Sequence, residues 1–233
     1  MRPPIAQNLQ DVLDRMTRAA RRVGRAPEEV RLVAVTKLHP PEEIHPLIAA
    51  GQTMLGENRV QDLVEKMDLF DREPTPLEWH LIGHLQTNKA RKVVGRVALI
   101  HGVDSLHLAE ALQQAAESAD TTVEILLQVN ISGEESKFGL EPTELDAVAR
   151  GLAPLDRVRC CGLMTMAPFE MEPEETRPVF RGLRETMEQL RERGYGHLDL
   201  RHLSMGMTND FEVAIEEGAT LVRVGTALFA GGA

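Results

Sequence analysis

Eight short apolar runs alternate with helix-like segments along most of this chain, and this alternation constrains its fold more than any other feature. The apolar runs are Arg31–Lys37, Thr53–Asn58, Glu78–Gly83, Val97–Ser105, Val123–Asn130, Val158–Met166, Leu200–Gly206 and Thr220–Thr226. Apolar residues at helical spacing mark the segments Ile5–Val23, Pro41–Ala50, Val60–Phe70, Asn88–Val94, Leu106–Ser118, Pro142–Gly151, Pro173–Arg193 and Asp210–Glu217. Some runs are continuously apolar, which is typical of parallel strands that are buried on both faces.

The alternation predicts an α/β protein, a (β/α)8 TIM barrel with an extra N-terminal helix. A length of 233 residues suits this architecture, and no linker or shift in composition divides residues 1–233 into two domains. The alternative is a doubly wound open sheet. It is less favoured because no Gly-x-Gly-x-x-Gly turn follows the first apolar run.

Charge and cysteine content narrow the classes of partner and compartment. A net charge of -10 argues against a nucleic-acid partner. Cys160 and Cys161 are adjacent and would point to opposite faces of a strand, so we expect no mutual disulfide and a reducing compartment. With no apolar stretch of membrane-spanning length and no signal-peptide pattern, we expect a cytoplasmic protein without membrane contact. With no partner-domain signature and a solvated acidic surface, we also expect a monomer.

Lys37 closes the first apolar run and is the first candidate functional residue. Active sites of such barrels lie at the carboxyl ends of the strands. A lysine held there can lose part of its solvation, and a neutral amine can attack an aldehyde to form a Schiff base. Most strand-end lysines are solvated surface residues, so the position of Lys37 does not decide its role.

The last two apolar runs end in sequences suited to a phosphate group. The seventh ends in Ser204-Met205-Gly206 and the eighth in Gly225-Thr226. Barrels often bind phosphate with the loops after these two strands, where glycine lets backbone amides approach and hydroxyls add donors. The alternative is that both glycines only shape turns. A lysine for an aldehyde and two loops for a phosphate together indicate one ligand, pyridoxal 5'-phosphate (PLP).

Arg223 is the third candidate. By alternation it shares the side of the strand with Gly225, and an arginine inside a barrel needs an acceptor, either a carboxylate or a ligand atom. If it faces the pyridine nitrogen, its permanent charge would keep that nitrogen unprotonated and weaken the ring as an electron sink. His80 and His84 would lie about 13 Å apart on a strand, so we assign no metal site to them.

Several long motifs occur together and in order. They are Leu32-Val33-Ala34-Val35-Thr36-Lys37, Gly56-Glu57-Asn58, Trp79-His80-Leu81-Ile82-Gly83-His84-Leu85-Gln86-Thr87-Asn88-Lys89, Gln128-Val129-Asn130-Ile131 leading to Lys137, Gly162-Leu163-Met164-Thr165-Met166, Leu203-Ser204-Met205-Gly206-Met207-Thr208 and Val222-Arg223-Val224-Gly225-Thr226. On these motifs nearly the whole chain resembles the PLP homeostasis family, which shares the barrel of alanine racemase. Arg59 and Thr208 depart from the tyrosine and serine that are common there.

The resemblance implies a role for each candidate residue and for the chain. Lys37 would carry PLP as a Schiff base, while Ser204, Gly225 and Thr226 would bind the phosphate with the Met205-Gly206 backbone. Arg223 would lie near the pyridine nitrogen and Asn58 near the cofactor. The family is thought to store PLP or deliver it to PLP-dependent apo-enzymes and to influence amino-acid and keto-acid balance, without a firm catalytic activity.

Two other functions stay open at this point. One is a PLP-dependent racemase or decarboxylase. It is disfavoured because the chain has no room for a second β-domain and Tyr195 is predicted at the amino-terminal face of the barrel, which leaves His84 or Lys137 as candidate proton-transfer groups. The other is a phosphate-binding barrel that uses no aldehyde.

Overall fold

The computed structural model describes residues 5–134 and 138–230, and its centre is a closed barrel of parallel strands. The strands are β1 (Arg31–Val35), β2 (Met54–Glu57), β3 (Glu78–Leu81), β4 (Leu99–Val103), β5 (Val123–Gln128), β6 (Val158–Met164), β7 (His202–Ser204) and β8 (Leu221–Val224). Each strand pairs with the next, and β8 pairs with β1 from Arg31 opposite Leu221 onward. The predicted barrel is therefore confirmed, and the open-sheet alternative is wrong because the sheet has no edge.

Helices surround the barrel. They are α1 (Ile5–Arg22), α2 (Pro41–Ala49), α3 (Val60–Phe70), α4 (Ala90–Val93), α5 (Leu106–Ser118), α6 (Leu145–Leu152), α7 (Arg177–Glu192), α8 (Phe211–Glu216) and α9 (Thr226–Phe229). The first of them is the predicted extra helix, and Asn8 fixes it to the chain end by donating to the Leu228 and Ala230 carbonyls, each at 2.9 Å. None of the helices in the described ranges is long and apolar enough to cross a membrane.

The strands are shorter than the apolar runs that predict them. β1 ends at Val35, so Lys37 lies in the turn that follows, and β8 ends at Val224, so Gly225 lies beyond it. The polar ends of the runs leave the hydrogen-bonded ladder because they begin the connections to the next helices. Lys37 and Gly225, which were predicted at strand ends, consequently occupy loops at the carboxyl edge of the barrel.

Two apolar layers stabilise the fold, one between strands and helices and a smaller one inside the barrel. The inner layer consists of Val33, Val35, Met54, Ile82, Leu99, Leu126, Cys161, Met164 and Leu221. Cys160 belongs to the outer layer, which confirms that the two neighbouring cysteines face opposite ways, and both are free thiols. Period-two alternation along each strand produces these layers.

Candidate functional site

A cavity of about 660 Å³ opens at the carboxyl edge of the barrel, within the range of roughly 300–1,000 Å³ that is usual for small-molecule sites. Its lining residues come from loops that follow most of the strands. They include Lys37, Leu38, Asn58, His84, Phe138, Phe169, Thr208, Gly225 and Thr226, and β8 itself contributes Arg223. Residues far apart in the sequence therefore meet here, as expected for the carboxyl face of a barrel.

Lys37 lies at the mouth of this cavity, in a tight turn after β1. The His39 amide closes the turn by donating to the Thr36 carbonyl at 3.1 Å, and Leu38 adopts a left-handed backbone with φ 66°. Such a conformation is uncommon for a residue with a side chain. Lys37 is exposed, so without a ligand its amine keeps its water, contrary to the partial desolvation expected from the sequence.

A buried ion pair holds the residue before Lys37. Lys66 of α3 donates to the Thr36 carbonyl at 2.7 Å and to Glu57 Oε1 at 2.5 Å, while the Thr36 hydroxyl donates to the same carboxylate oxygen at 2.6 Å. Glu57 is fully buried, and its Oε2 has no hydrogen-bond partner among the described residues. The cluster ties β1, β2 and α3 together directly beneath the Lys37 turn.

Gly225 and Thr226 line the cavity on the side of β8, as predicted. A Cβ at Gly225 would lie 3.1 Å from the Val35 carbonyl oxygen, so the backbone at this point runs closer to β1 than most side chains would allow. Thr208, in the loop after β7, also lines the cavity, and its hydroxyl accepts a hydrogen bond from the Ala227 amide at 3.5 Å. The loops after β7 and β8 therefore meet on one wall of the cavity.

The structure does not bring Ser204, Met205 and Gly206 to the cavity wall. Ser204 is the last residue of β7 and is fully buried inside the barrel, while Met205 is fully buried in the outer layer. Gly206 has φ 91°, and its carbonyl accepts from the Arg223 amide at 2.9 Å. β7 ends too deep for these residues to reach the mouth, and the chain after it lines the cavity from Met207 to Asp210.

Arg223 is buried to 4% exposure and lines the cavity from below. Its Nη1 donates to the Ser204 hydroxyl, and its Nη2 donates to the Thr165 carbonyl at 3.0 Å. The structure thus gives Arg223 a hydroxyl and a backbone carbonyl as acceptors, where the sequence led us to expect a carboxylate or a ligand atom. Burial lowers the pKa of Arg223 to about 10, which still leaves it charged at neutral pH.

Asn58 follows β2 and lies half-buried at the cavity. The backbone at Gly83 passes close to Asn58, which is possible because glycine has no side chain. A Cβ at Gly83 would lie 2.2 Å from the Asn58 carbonyl oxygen.

His84, a candidate proton-transfer residue, follows Gly83. Its ring is stacked on Phe138, with a centroid separation of 4.4 Å, and its Nδ1 lies 3.2 Å from Asp104 Oδ2. Lys137, the other proton-transfer candidate, lies outside the described residues.

The rim of the cavity is apolar and open to solvent. Leu38 is 89% exposed, Phe169 is 80% exposed and Phe138 is 58% exposed. This rim could not be identified from the sequence, because its members belong to three separate loops. Tyr195 lies elsewhere, in the connection before β7, as predicted, and its hydroxyl donates to Asp146.

The family model of the alanine racemase N-terminal domain matches residues 8–232. Among proteins named pyridoxal phosphate homeostasis protein, that of Aquifex aeolicus is 44% identical over 223 residues, which is 96% of each chain. That of Escherichia coli K12 is 42% identical over 226 residues, or 97% of this chain and 95% of that protein.

Solved structures agree with this similarity. PipY of Synechococcus elongatus, solved with PLP bound, superposes with a TM-score of 0.84 at 39% identity, covering 97% of this chain and 99% of PipY. A protein of Bifidobacterium adolescentis gives a TM-score of 0.90 at 40% identity, with 97% and 94% covered. The alanine racemase of Clostridium difficile shares the fold, with a TM-score of 0.72 at 15% identity over 96% of this chain and 56% of the racemase.

Proposed function

We propose a function for this chain on the basis that it belongs to the pyridoxal phosphate homeostasis proteins, within the alanine racemase N-terminal domain family. It binds PLP, holds the aldehyde covalently as a Schiff base on Lys37, and stores or delivers the cofactor without using it in catalysis. The observation that carries the proposal is that Lys37, Arg223 and the Gly225-Thr226 loop line the same cavity.

The residues of this cavity suit each reactive part of PLP. The Lys37 amine at the mouth matches the aldehyde, the buried Arg223 guanidinium matches the ring nitrogen as a donor, and Gly225 with Thr226 matches the phosphate. The close approach of Gly225 to Val35 also supports this match, since a side chain at this position would crowd the wall. When bound, PLP supplies an aldehyde and an electron-accepting ring.

Thr208 replaces Ser204 as the hydroxyl donor in this proposal. Thr208 lines the cavity and accepts from the Ala227 amide, so its hydroxyl hydrogen is free to point to a phosphate oxygen. Ser204 is fully buried and bonded to Arg223, which supports an indirect role for it.

The charge of Arg223 supports binding over catalysis. A pKa of about 10 leaves the guanidinium protonated at neutral pH, so it donates a hydrogen bond and keeps the ring nitrogen without a proton. A PLP ring held in this way withdraws electrons poorly and stabilises a substrate carbanion weakly. The exposed Lys37 and the open rim suit a cofactor that must also leave, and we propose that the chain works as a monomer that passes PLP to apo-enzymes.

The test is the visible absorbance of the purified protein with added PLP, before and after borohydride reduction. We expect a visible band that borohydride abolishes, and mass spectrometry should then find the reduced adduct on Lys37. Lys37→Ala should lack both. Lys92→Ala, which removes an exposed lysine outside the cavity lining, is the matched control and should retain both.

Two outcomes would replace this function by another one. Steady turnover of an amino acid that disappears in Lys37→Ala would identify a PLP-dependent racemase or decarboxylase. Binding of pyridoxine 5'-phosphate as tightly as PLP, with no visible band, would identify a phosphate-binding barrel that ignores the aldehyde.

A further inference from the structure

Five polar side chains form a continuous line of hydrogen bonds inside the barrel, which we call the interior relay: Glu78, His80, His101, Ser204 and Arg223. His80 Nε2 lies 3.1 Å from Glu78 Oε1, and His80 Nδ1 lies 2.8 Å from His101 Nε2. His101 Nδ1 lies 2.8 Å from Ser204 Oγ, to which Arg223 donates. His80, His101 and Ser204 are each at most 1% exposed.

The relay runs from one end of the barrel to the other. Glu78 is the first residue of β3, at the amino-terminal end, where Arg31 donates to it at 2.6 Å. Arg223 lines the cavity at the carboxyl end. The bond between His101 on β4 and Ser204 on β7 crosses the barrel interior, because these strands are not neighbours in the sheet.

The two ends of the relay fix the direction of its hydrogen bonds. Arginine can only donate and a carboxylate can only accept. Ser204 therefore accepts from Arg223 and donates its own hydrogen to His101 Nδ1, which leaves the hydrogen of His101 on Nε2 to be donated to His80. His80 then donates from Nε2 to Glu78. In this arrangement the Ser204 hydroxyl and all four ring nitrogens of His80 and His101 have partners.

The opposite direction satisfies fewer groups. If His101 donated to Ser204, the serine would accept twice, and its own hydrogen would have no acceptor, since its hydroxyl partners among the described residues are His101 and Arg223. An unmatched donor is costly in a fully buried place. Burial also lowers the pKa of His101 well below its ordinary value, so this imidazole is neutral and must donate from a single nitrogen.

We infer that His80, His101 and Ser204 are positioning residues, which hold the Arg223 guanidinium in one orientation so that its remaining N–H groups face the ring nitrogen of the bound cofactor. Two of its nitrogens are engaged by Ser204 and by the Thr165 carbonyl, and because a guanidinium is planar, two anchors fix its plane. This inference rests on the proposed function, since it concerns the same cavity and the same ligand.

The first test needs no cofactor. Nitrogen-15 NMR of the cofactor-free protein at neutral pH should show that His80 and His101 each carry a hydrogen on Nε2 and accept a hydrogen bond at Nδ1. The exposed His107 on α5 is the internal reference for a solvated histidine. A hydrogen on Nδ1 of His101 would reverse the relay and overturn the inference.

The second test measures the contact with the ring nitrogen. PLP is compared with its carbocyclic analogue, in which C–H replaces that nitrogen, and the ratio of the two dissociation constants is determined. We expect the wild type to prefer PLP about tenfold, the value of one hydrogen bond from a charged donor. The ratio is insensitive to general damage, because both ligands use the same lysine and phosphate contacts.

Two substitutions of His101 separate the relay from local packing. His101→Asn places an amide near the former Nδ1 and can bond Ser204 but not reach His80, whereas His101→Gln places one near Nε2 and can bond His80 but not Ser204. A continuous relay requires both variants to lose the preference, with a ratio near one and little change in affinity for the analogue. His107→Asn is the control and should keep the wild-type ratio.

The outcomes are distinct. A wild-type ratio in either His101 variant overturns the inference, because the relay would then be dispensable. A wild-type protein that binds both ligands equally overturns the placement of Arg223 and the inference with it. A wild-type protein that binds neither ligand refutes the proposed function, and a relay detected by NMR in that case would be structural only. If the variants do not fold, the NMR result on the wild type decides.

Discussion

Replacing Lys66 by methionine tests whether the buried ion pair beneath the Lys37 turn stabilises the fold. The substitution keeps a long apolar stem and removes the ammonium that lies 2.5 Å from Glu57 Oε1 and 2.7 Å from the Thr36 carbonyl. Glu57 is fully buried and one of its oxygens already has no partner, so only the Thr36 hydroxyl would remain to it. Removing one member of such a pair costs about 3–5 kcal/mol, and we expect that loss in the free energy of unfolding.

Urea denaturation followed by circular dichroism measures the loss, with an unchanged m-value showing that the unfolded states are comparable. The double variant Glu57→Gln/Lys66→Met is the decisive comparison. This variant also removes the uncompensated carboxylate, which causes most of the destabilisation. Its free energy of unfolding should therefore lie only about 1–2 kcal/mol below that of the wild type. Lys92→Met should stay within about 0.5 kcal/mol, as for other surface changes. The reasoning is refuted if Lys66→Met costs under about 1 kcal/mol or if the double variant is no more stable than the single one.

Three further predictions concern the phosphate wall, acid stability and the cysteines. Thr208→Val should weaken PLP binding roughly tenfold by removing a donor to a charged group, while Thr208→Ser keeps the affinity; equal affinities in fluorescence titrations would exclude Thr208 from the phosphate site. His80 and Arg31 hold the pKa of Glu78 at about 2, below its ordinary 4.5, so its stabilisation is complete above about 4.5 and is lost as the pH falls toward 2. Glu78→Gln should flatten this part of the stability profile in urea denaturation, and an unchanged slope would contradict the assignment. Burial raises the pKa of Cys160 to about 11 and of Cys161 to about 12, so thiol reagents should label them in urea but not in the native protein, and rapid native labelling would count against their burial.

The barrel could be predicted from the sequence because each strand and helix carries its own local signal. Alternating apolar runs and helical spacing are properties of short segments, and closure follows from their number. The ends of the strands were predicted less accurately than their existence. The run Val97–Ser105 predicts a strand longer than the observed Leu99–Val103, since residues stay in the ladder only where the neighbouring strand supplies partners.

The cavity lining was predictable where a residue directly follows its strand. Lys37, Asn58, Gly225 and Thr226 follow this rule and line the cavity. Ser204 does not, because the short β7 ends deep inside the barrel, and the hydroxyl that reaches the cavity comes from Thr208. The motif Leu203-Ser204-Met205-Gly206-Met207-Thr208 contains both hydroxyls, but spacing alone does not show which of them lies beyond the end of the strand.

The interior relay was not predictable, because its contacts join residues that are far apart in the sequence. His101 and Ser204 are separated by 103 positions and meet across the barrel, so no local pattern connects them. Each of them, considered alone, suggests a core histidine or a turn-forming serine.

Under the proposed function, the relay gives a reason why an arginine can be buried beneath the cavity and still donate to a ligand there. An adjacent carboxylate would satisfy Arg223 most directly, but a bidentate pair would occupy the same donors that a cofactor needs. In this barrel Arg223 is held by two neutral acceptors, Ser204 and the Thr165 carbonyl, and the carboxylate of the relay, Glu78, lies at the opposite end. Burial lowers the pKa of Arg223 to about 10, and the Coulombic attraction of the Asp210 carboxylate opposes this shift only in part. In the proposed function this arrangement leaves the guanidinium charged, fixed in orientation and able to donate into the cavity, which a bidentate pair with a carboxylate would prevent.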